Sequence, residues 1–316
     1  MKSKRPFLFV VLLNFVSTMG FAQTQLAVTN FQNAIQLFNP AYVGTEDHIN
    51  VSMINKTQWL NTTAGTPSLQ GISGHIPFNY QRIGAGLNVL QETTATVQSF
   101  YFNGNASYKI NFKQGRLSFG IRVGFLQRNE NLGGLLVKDP NDVLITNNRQ
   151  FVPEFGGGFF FKQRNFYTGL SFVRSAGIYL ETNSALKNYY HFIVGGSRIL
   201  SSRLTILPAC HIEYTNDFNP YATVIIPVKF DDLFSIGLGY GTASVLSFVA
   251  TLNIDKALRT TANRYVLSYA YDQSFNKRIN YIGNTHELIL SVKLVRAEKI
   301  DKILKRKITV SPLFFD

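Results

Sequence analysis

The chain has 316 residues, of which 45% are hydrophobic, and its 31 Lys and Arg against 18 Asp and Glu give a formal net charge of +13. Nucleic-acid binding needs basic residues interleaved with exposed aromatics on one face. Most basic residues here fall in turns, at the chain ends or at alternate strand positions, so we expect no nucleic-acid partner. The single cysteine, Cys210, cannot form an intramolecular disulfide, and its place in an apolar strand favours a packing role.

The first 22 residues are predicted to be an export signal. Basic residues near the start precede the apolar run 7–15, and Gly20 and Ala22 supply small residues for cleavage before Gln23. The apolar run is too short to span a bilayer, although an uncleaved anchor is an alternative. No cysteine follows the cleavage position, so we do not expect a lipoprotein.

Most of the remaining chain alternates apolar and polar residues. One segment places Phe100, Phe102, Ala106, Tyr108 and Ile110 on one face, and Ser99, Asn103, Asn105, Ser107 and Lys109 on the other. A period of two is that of a strand with one face in an apolar environment and the other in a polar one. Such segments of about ten residues, filling most of a chain, predict an all-β transmembrane antiparallel β-barrel. A large soluble β-sandwich also alternates and is the alternative.

We count fourteen such segments, an even number, as is usual for single-chain bacterial barrels. They are 49–59, 67–77, 82–91, 96–111, 116–127, 151–162, 165–174, 188–200, 203–215, 219–230, 232–241, 244–255, 263–272 and 284–296. With the N-terminus on the periplasmic side, tight turns such as 113–115 face the periplasm, and the longer connections 128–150 and 175–187 face outward. Inward polar residues such as Asn105 and Arg122 predict a hydrated or plugged lumen.

Residues for catalysis or metal binding do not form a recognisable pattern. The chain has five histidines: His48, His75, His191, His211 and His286. None has the spacing of a serine-nucleophile elbow, a His-Glu-x-x-His zinc site or a Cys/His cluster, and on a strand His286 and Glu287 point to opposite faces. The acidic run 139–142 is better explained by Asx-Pro turn chemistry than by calcium binding. We therefore expect no enzymatic activity, no catalytic residues, no cofactor and no metal.

Two sets of residues near the chain ends carry a family resemblance. The first is Asn39-Pro40-Ala41-Tyr42-Val43-Gly44, followed by Gln58-Trp59 at the end of the first predicted strand. The second is Tyr269-Ala270-Tyr271-Asp272, followed by Gly283-Asn284-Thr285-His286-Glu287-Leu288 at the start of the last strand. This ordered set resembles the PorP/SprF family of type IX secretion outer-membrane proteins. The chain departs from the family in having Lys56 where Arg is common, and in its basic tail after Arg296.

The resemblance implies a non-enzymatic outer-membrane component that docks or anchors secreted cargo at the cell surface. The implied partners are a cargo protein with a C-terminal sorting domain, such as a gliding adhesin, a periplasmic secretion-system lipoprotein and outer-membrane lipid. Partner binding is expected at Asn39, Pro40, Ala41, Tyr42, Gly44, Gln58, Trp59, His286 and Glu287. The 39–44 element could instead plug the lumen, or could simply turn the chain into the first strand.

The expected organisation is a signal peptide at 1–22, a periplasmic lead at 23–48, an outer-membrane barrel at 49–296 and a basic periplasmic tail at 297–316. The alternative function is an outer-membrane channel or transporter for small or hydrophobic solutes, which would use the same polar lumen. Hydrophobic-solute transporters usually carry a larger N-terminal plug than this lead.

Overall fold

The structure is a computed structural model that describes residues 27–60, 65–78, 82–131, 148–175, 188–215, 218–242, 244–257, 263–275 and 284–294. The predicted signal at 1–22, the basic tail at 297–316, the acidic run at 139–142 and most of the connections 128–150 and 175–187 lie outside the described residues.

Nearly all of the described chain is one antiparallel sheet. Its strands are β1 (Ile49–Leu60), β2 (Ser68–Phe78), β3 (Ile83–Thr94), β4 (Val97–Asn111), β5 (Gly115–Glu130), β6 (Asn148–Gln163), β7 (Phe166–Ser175), β8 (Asn188–Gly196), β9 (Arg198–Ile199), β10 (Leu204–Ile206), β11 (Ala209–Thr215), β12 (Phe218–Phe230), β13 (Phe234–Gly241), β14 (Val245–Asn253), β15 (Asn263–Ser274) and β16 (Asn284–Leu294). The helices are α1 (Ile35–Phe38) and α2 (Ile254–Ala257), and 3-10 turns lie at Phe31–Asn33 and Pro40–Tyr42. Among the described residues, no helix combines the length and the apolar character needed to cross a membrane.

The sheet closes on itself because β1 pairs with β16. In two places a barrel strand consists of two consecutive segments: β8 continues as β9, and β10 continues as β11, so that β12 pairs with both β10 and β11. The break between β10 and β11 lies at Leu207 and Pro208, and proline has no N–H to donate to the ladder. The result is a closed barrel of fourteen strands, which confirms the predicted fold class.

The two mouths of the barrel differ in their connections. Ile49 at the start of β1 pairs with Leu294 at the end of β16, so both ends of the barrel sequence lie at one mouth. Tight turns at 112–114 and 164–165 join strands at this turn-side mouth. β5 and β7 end, and β6 and β8 begin, at the opposite, loop-side mouth.

The predicted alternation sorts residues between the outside and the inside of the barrel. On β5, Ile121 and Val123 are 62% and 55% exposed, whereas Arg122 between them is buried. Ser118, at another inward position of the same strand, is buried as well. On β4, Phe100, Tyr108 and Ile110 face outward and Asn103, Asn105 and Lys109 are buried inside. The barrel therefore presents an apolar outer surface to lipid and a polar wall to its lumen.

The lumen is filled by the chain segment that precedes β1. Residues 28–45, which we call the plug, fold into the two 3-10 turns and α1, and Phe31, Asn39, Ala41 and Val43 are fully buried. The apolar side chains of the plug pack against inward apolar residues of the wall such as Phe160. The sequence predicts a periplasmic lead at 23–48 and leaves the 39–44 element open as a plug; residues 28–45 lie inside the barrel, because a wall of fourteen strands encloses more space than its own side chains fill.

Candidate functional site

The interface between the plug and the wall gathers most of the residues singled out from the sequence. The Asn-Pro-Ala-Tyr element begins at Asn39, whose side-chain Oδ1 accepts a hydrogen bond from the N–H of Ala41 at 2.9 Å. Pro40 occupies the first position of the following 3-10 turn, where its fixed φ fits and no N–H is needed. The Nδ2 atom of Asn39 donates to the carbonyl of Phe159 on β6 at 3.0 Å. One asparagine therefore caps the turn and fixes it to the wall.

Glycines in the wall allow the plug backbone to approach closely. A Cβ atom added at Gly120 on β5 would lie 2.2 Å from the nitrogen of Ala41. Cβ atoms at Gly158 and Gly169 would lie 2.8 and 2.7 Å from the side-chain amide of Asn39. Distances below 3 Å are not tolerated by real side chains, so this contact requires glycine at the wall positions.

Gly44 directs the chain towards the turn-side mouth. Its φ is +64°, a left-handed conformation that glycine adopts without strain. Its N–H donates to Nδ1 of His75 at 3.2 Å, and its carbonyl accepts from Nζ of Lys109 at 2.6 Å. The neighbouring carbonyl of Val43 accepts from Oγ of Ser107 at 2.7 Å. Inward polar residues of the wall therefore satisfy the backbone of the plug as it leaves the lumen.

A carboxylate just after the plug joins three elements. The hydroxyl of Tyr42 donates to Oε1 of Glu46 at 3.2 Å, and the same carboxylate lies 2.7 Å from Nε2 of His48 and 3.3 Å from Nζ of Lys293. Burial alone would raise the pKa of Glu46, but the hydrogen bond with His48 and the positive charge of Lys293 hold that pKa well below its usual value. Burial and the neighbouring Glu46 together raise the pKa of Tyr42 well above its usual value. Glu46 is therefore a carboxylate and Tyr42 a hydrogen-bond donor at neutral pH.

The other end of the plug is fixed by buried charges in the loop-side half of the barrel. The two oxygens of Glu287 accept from the backbone N–H groups of Thr29 and Asn30 at 2.9 and 2.8 Å. The hydroxyl of Thr29 donates to Asp272 at 2.6 Å. Nζ of Lys56 lies 3.2 Å from Glu287 and 3.4 Å from Asp272, and also contacts the carbonyl of Ala27. We call Lys56, Asp272 and Glu287 the charged anchor.

Between these ends, a second polar contact holds the middle of the plug. The side chain of Gln36 donates to Oδ1 of Asn88 at 3.0 Å, and its backbone carbonyl accepts from Nη2 of Arg122 at 2.9 Å. Arg122 also donates to Oδ1 of Asn105 at 2.8 Å. The inward polar residues of the wall therefore form hydrogen bonds with the plug, which occupies the lumen.

The other predicted site residues lie near the loop-side ends of β1 and β16. His286 is on the outward side of β16, within 2.6 Å of the hydroxyl of Tyr269, while Glu287 points inward. The N–H of Gln58 donates to the carbonyl of Pro67 at 2.8 Å. Trp59 has φ +58°, a conformation uncommon for a bulky residue, at the point where the register between β1 and β16 shifts. The structure therefore places Glu287 and the 39–44 element at the interface between the plug and the wall, Gln58 among the buried residues of β1, and His286 on the outer side of β16.

The turn-side mouth holds a basic cavity of about 440 Å³ beside the exit of the plug. Nη1 of Arg116 donates to the carbonyl of Thr45 at 3.2 Å. Lys162, at the end of β6, and Arg164, in the turn that follows, are exposed and line the same cavity together with Asp47. We call Arg116, Lys162 and Arg164 the basic rim. Sequence reasoning missed it because Arg116 belongs to the hairpin of β4 and β5, whereas Lys162 and Arg164 belong to the hairpin of β6 and β7.

The fold and the filled lumen define the class of this protein: an outer-membrane β-barrel plugged by its own N-terminal segment. The model of the type IX secretion system membrane protein PorP/SprF family matches residues 20–292, and the chain belongs to that family. No curated protein matches the chain.

Two solved barrels have similar architecture. The CymD monoaromatic hydrocarbon channel shares 10% identity, with 87% of this chain and 94% of that chain covered and a TM-score of 0.52. The Ralstonia pickettii toluene transporter TbuX shares 10% identity, with 83% of this chain and 93% of that chain covered and a TM-score of 0.49. At this level of identity the likeness concerns the fold alone.

Proposed function

We propose that this membrane component of type IX secretion works as a plugged docking barrel. It holds a secreted cargo protein, through that protein's C-terminal sorting domain, at the loop-side mouth. It contacts a periplasmic component of the machinery, of the envelope lipoprotein kind, at the turn-side mouth. The observation that carries the proposal is the plug, which fills the lumen and leaves the two mouths as the surfaces available for function.

The plug favours docking over conduction. Its core residues Phe31, Ala41 and Val43 are fully buried, and wall contacts fix it at both ends and in the middle. Solute passage would require these contacts to break together. A barrel whose lumen is filled by the plug is, by contrast, rigid, so that a partner can bind at either mouth without changing the shape of the lumen.

The turn-side mouth provides a chemically defined surface for a partner. The basic rim surrounds a cavity at the point where the plug leaves the lumen, and Lys162 and Arg164 are exposed there. Arginine and lysine side chains bind carboxylates through charge-assisted hydrogen bonds. A periplasmic partner with an acidic surface therefore fits this mouth, with the N-terminus and C-terminus of the barrel on the same side.

The experiment is affinity capture of the tagged full-length protein from its native outer membrane in mild detergent, followed by mass spectrometry. We expect a large surface protein with a C-terminal sorting domain and a periplasmic component to be recovered with the barrel. The variant Lys162→Glu/Arg164→Glu should lose the periplasmic component and keep the cargo. A matched control is Arg203→Glu, which reverses one exposed charge in another turn at the same mouth.

Recovery of the barrel alone, from membranes in which cargo is displayed, would contradict the docking function. Equal recovery of the periplasmic component by the wild type and by the double variant would contradict the role of the basic rim. The alternative function, a channel for small or hydrophobic solutes, predicts solute uptake that depends on this protein while capture recovers no partner.

A further inference from the structure

The lumen wall contains a cluster of metal-ligand side chains that the sequence did not reveal. We propose that His191, His211 and Glu213 bind one divalent transition-metal ion, of which zinc is the best fit. The residues are 20 and 2 positions apart in sequence, so no short motif signals them. They meet because β8 pairs with β11, which places Glu213 directly opposite His191 and brings His211 beside both.

The distances within the cluster match those between the ligands of a single ion. Nδ1 of His191 lies 3.3 Å from Nε2 of His211 and 3.6 Å from Oε2 of Glu213. One ligand atom from each of the three residues lies within 4.8 Å of the other two. Metal–nitrogen bonds of about 2.0–2.1 Å in tetrahedral geometry separate two ligand atoms by roughly 3.3–3.4 Å. Small adjustments of the side chains would therefore place all three atoms around one ion.

The chemistry of the buried carboxylate supports a cation at this position. The side chains of His191 and Glu213 are each 8% exposed, and His211 is 1% exposed. Oε2 of Glu213 lies 3.6 Å from Nδ1 of His191, a distance longer than a hydrogen bond. Burying a carboxylate without close compensation is costly, because the charge loses its hydration. A divalent ion between the three side chains would supply that compensation.

The donor set selects the class of metal. Two imidazole nitrogens with one carboxylate oxygen suit zinc and neighbouring transition metals, whereas calcium and magnesium prefer all-oxygen sites. Three protein ligands leave a further coordination position for water.

The plug covers this site. The ring of Phe38 lies 4.6 Å from that of His211 and 5.3 Å from that of His191, and the ring of Phe31 lies 5.3 Å from that of His211. These apolar rings shield the cluster from bulk solvent. An ion bound here would join β8 to β11 directly behind the plug, next to the break between β10 and β11.

The test uses the full-length barrel, purified in detergent through a tag without histidine, then stripped with a chelator and dialysed. Zinc binding is measured by calorimetry, and cobalt is substituted so that its visible absorption reports the coordination geometry. We expect one zinc ion per chain and a tetrahedral cobalt spectrum. In Glu213→Gln and His211→Gln the affinity should fall by at least about tenfold. His286→Gln, at a histidine on the outer surface, is the matched control and should bind zinc like the wild type.

Glu213→Gln keeps the shape of the side chain, and its circular dichroism and heat-dependent gel mobility show whether the barrel has folded. Zinc should raise the melting temperature of the wild type, because it binds the folded state, and should not raise that of Glu213→Gln. The proposal is overturned if the folded wild type binds no zinc. It is also overturned if Glu213→Gln and His211→Gln bind zinc as tightly as the wild type does.

Discussion

The substitution Glu287→Gln tests how the plug is held. Glu287 accepts hydrogen bonds from the N–H groups of Thr29 and Asn30 through its two oxygens, and it pairs with Lys56 at 3.2 Å. Glutamine has nearly the same shape but only one acceptor oxygen. In the variant, the side-chain NH₂ group of glutamine faces one N–H group of the plug, and both groups are donors. Asp272 is then the one carboxylate of the charged anchor that still pairs with Lys56.

The magnitude follows from burial of the charged anchor. Glu287 and Lys56 are 1% and 2% exposed, so solvent cannot replace the lost partner. Removing one member of a buried ion pair costs about 3–5 kcal/mol, because the remaining charge is left uncompensated. Asp272 retains part of that compensation in this case, so we expect a loss of about 3 kcal/mol in the free energy of unfolding.

The assays are denaturant unfolding of the purified barrel and hydrogen exchange of the plug amides. Exchange at Thr29 and Asn30 should increase strongly, while exchange in the central strands should remain slow. The matched control is Glu130→Gln, which removes a pair with Arg128 at 2.9 Å near the loop-side end of β5. That pair is more exposed and should contribute no more than about 1 kcal/mol. If Glu287→Gln were as stable as Glu130→Gln, the reasoning would be refuted.

Three further predictions concern the same interface. Gly120→Ala should lower the free energy of unfolding by about 1–3 kcal/mol, because its Cβ would lie 2.2 Å from the nitrogen of Ala41. The control Gly104→Ala, whose Cβ would lie 3.6 Å from the nearest atom, should be nearly neutral in the same unfolding assay. Lys56→Arg should keep the charged anchor, with a free energy of unfolding within about 1 kcal/mol of the wild type. Lys56→Met should lower that free energy by about 3 kcal/mol, and equal losses in the two variants would argue against the charge pairing. Glu46 has a lowered pKa, so its stabilising contribution is complete above the ordinary carboxyl pKa of about 4.3 and is lost as the pH falls through the lower folded-state value. The difference in unfolding free energy between the wild type and Glu46→Gln should therefore shrink as the pH falls below the ordinary carboxyl pKa, and a constant difference would contradict this role.

The barrel could be predicted from the sequence because its signal is local. Each strand has its own alternation, as in β4 and β5, and the outward and inward residues follow from the period of two alone. The strand count followed because turn residues separate the segments. Pro208 divides one predicted strand, 203–215, into β10 and β11 without changing the count.

The location of the plug could not be predicted in the same way. Its turns and α1 are too short to show a period, and the sequence left the 39–44 element open between a plug, a docking element and a simple turn. What holds it inside is a set of matching wall positions, such as Gly120, Gly158 and Lys109, that come from different strands. The match exists only after the sheet has closed.

The buried charges depend on strand register for the same reason. Lys56 meets Glu287 because β1 pairs with β16 at those two residues, and Asp272 joins them because β15 lies alongside. His191 and Glu213 likewise meet through the pairing of β8 with β11. The sequence signal that could have found this cluster is the inward phase of Lys56, Asp272 and Glu287 on their strands, which places three charged side chains in the lumen.

The most direct test of the plugged docking barrel is the ionic conductance of the purified full-length protein in planar lipid bilayers, measured beside a variant that lacks residues 28–45. The account predicts that the full-length barrel stays closed and that the shortened barrel conducts. A wild-type barrel that conducts steadily, at a level similar to the shortened one, would contradict the filled lumen and favour the channel instead.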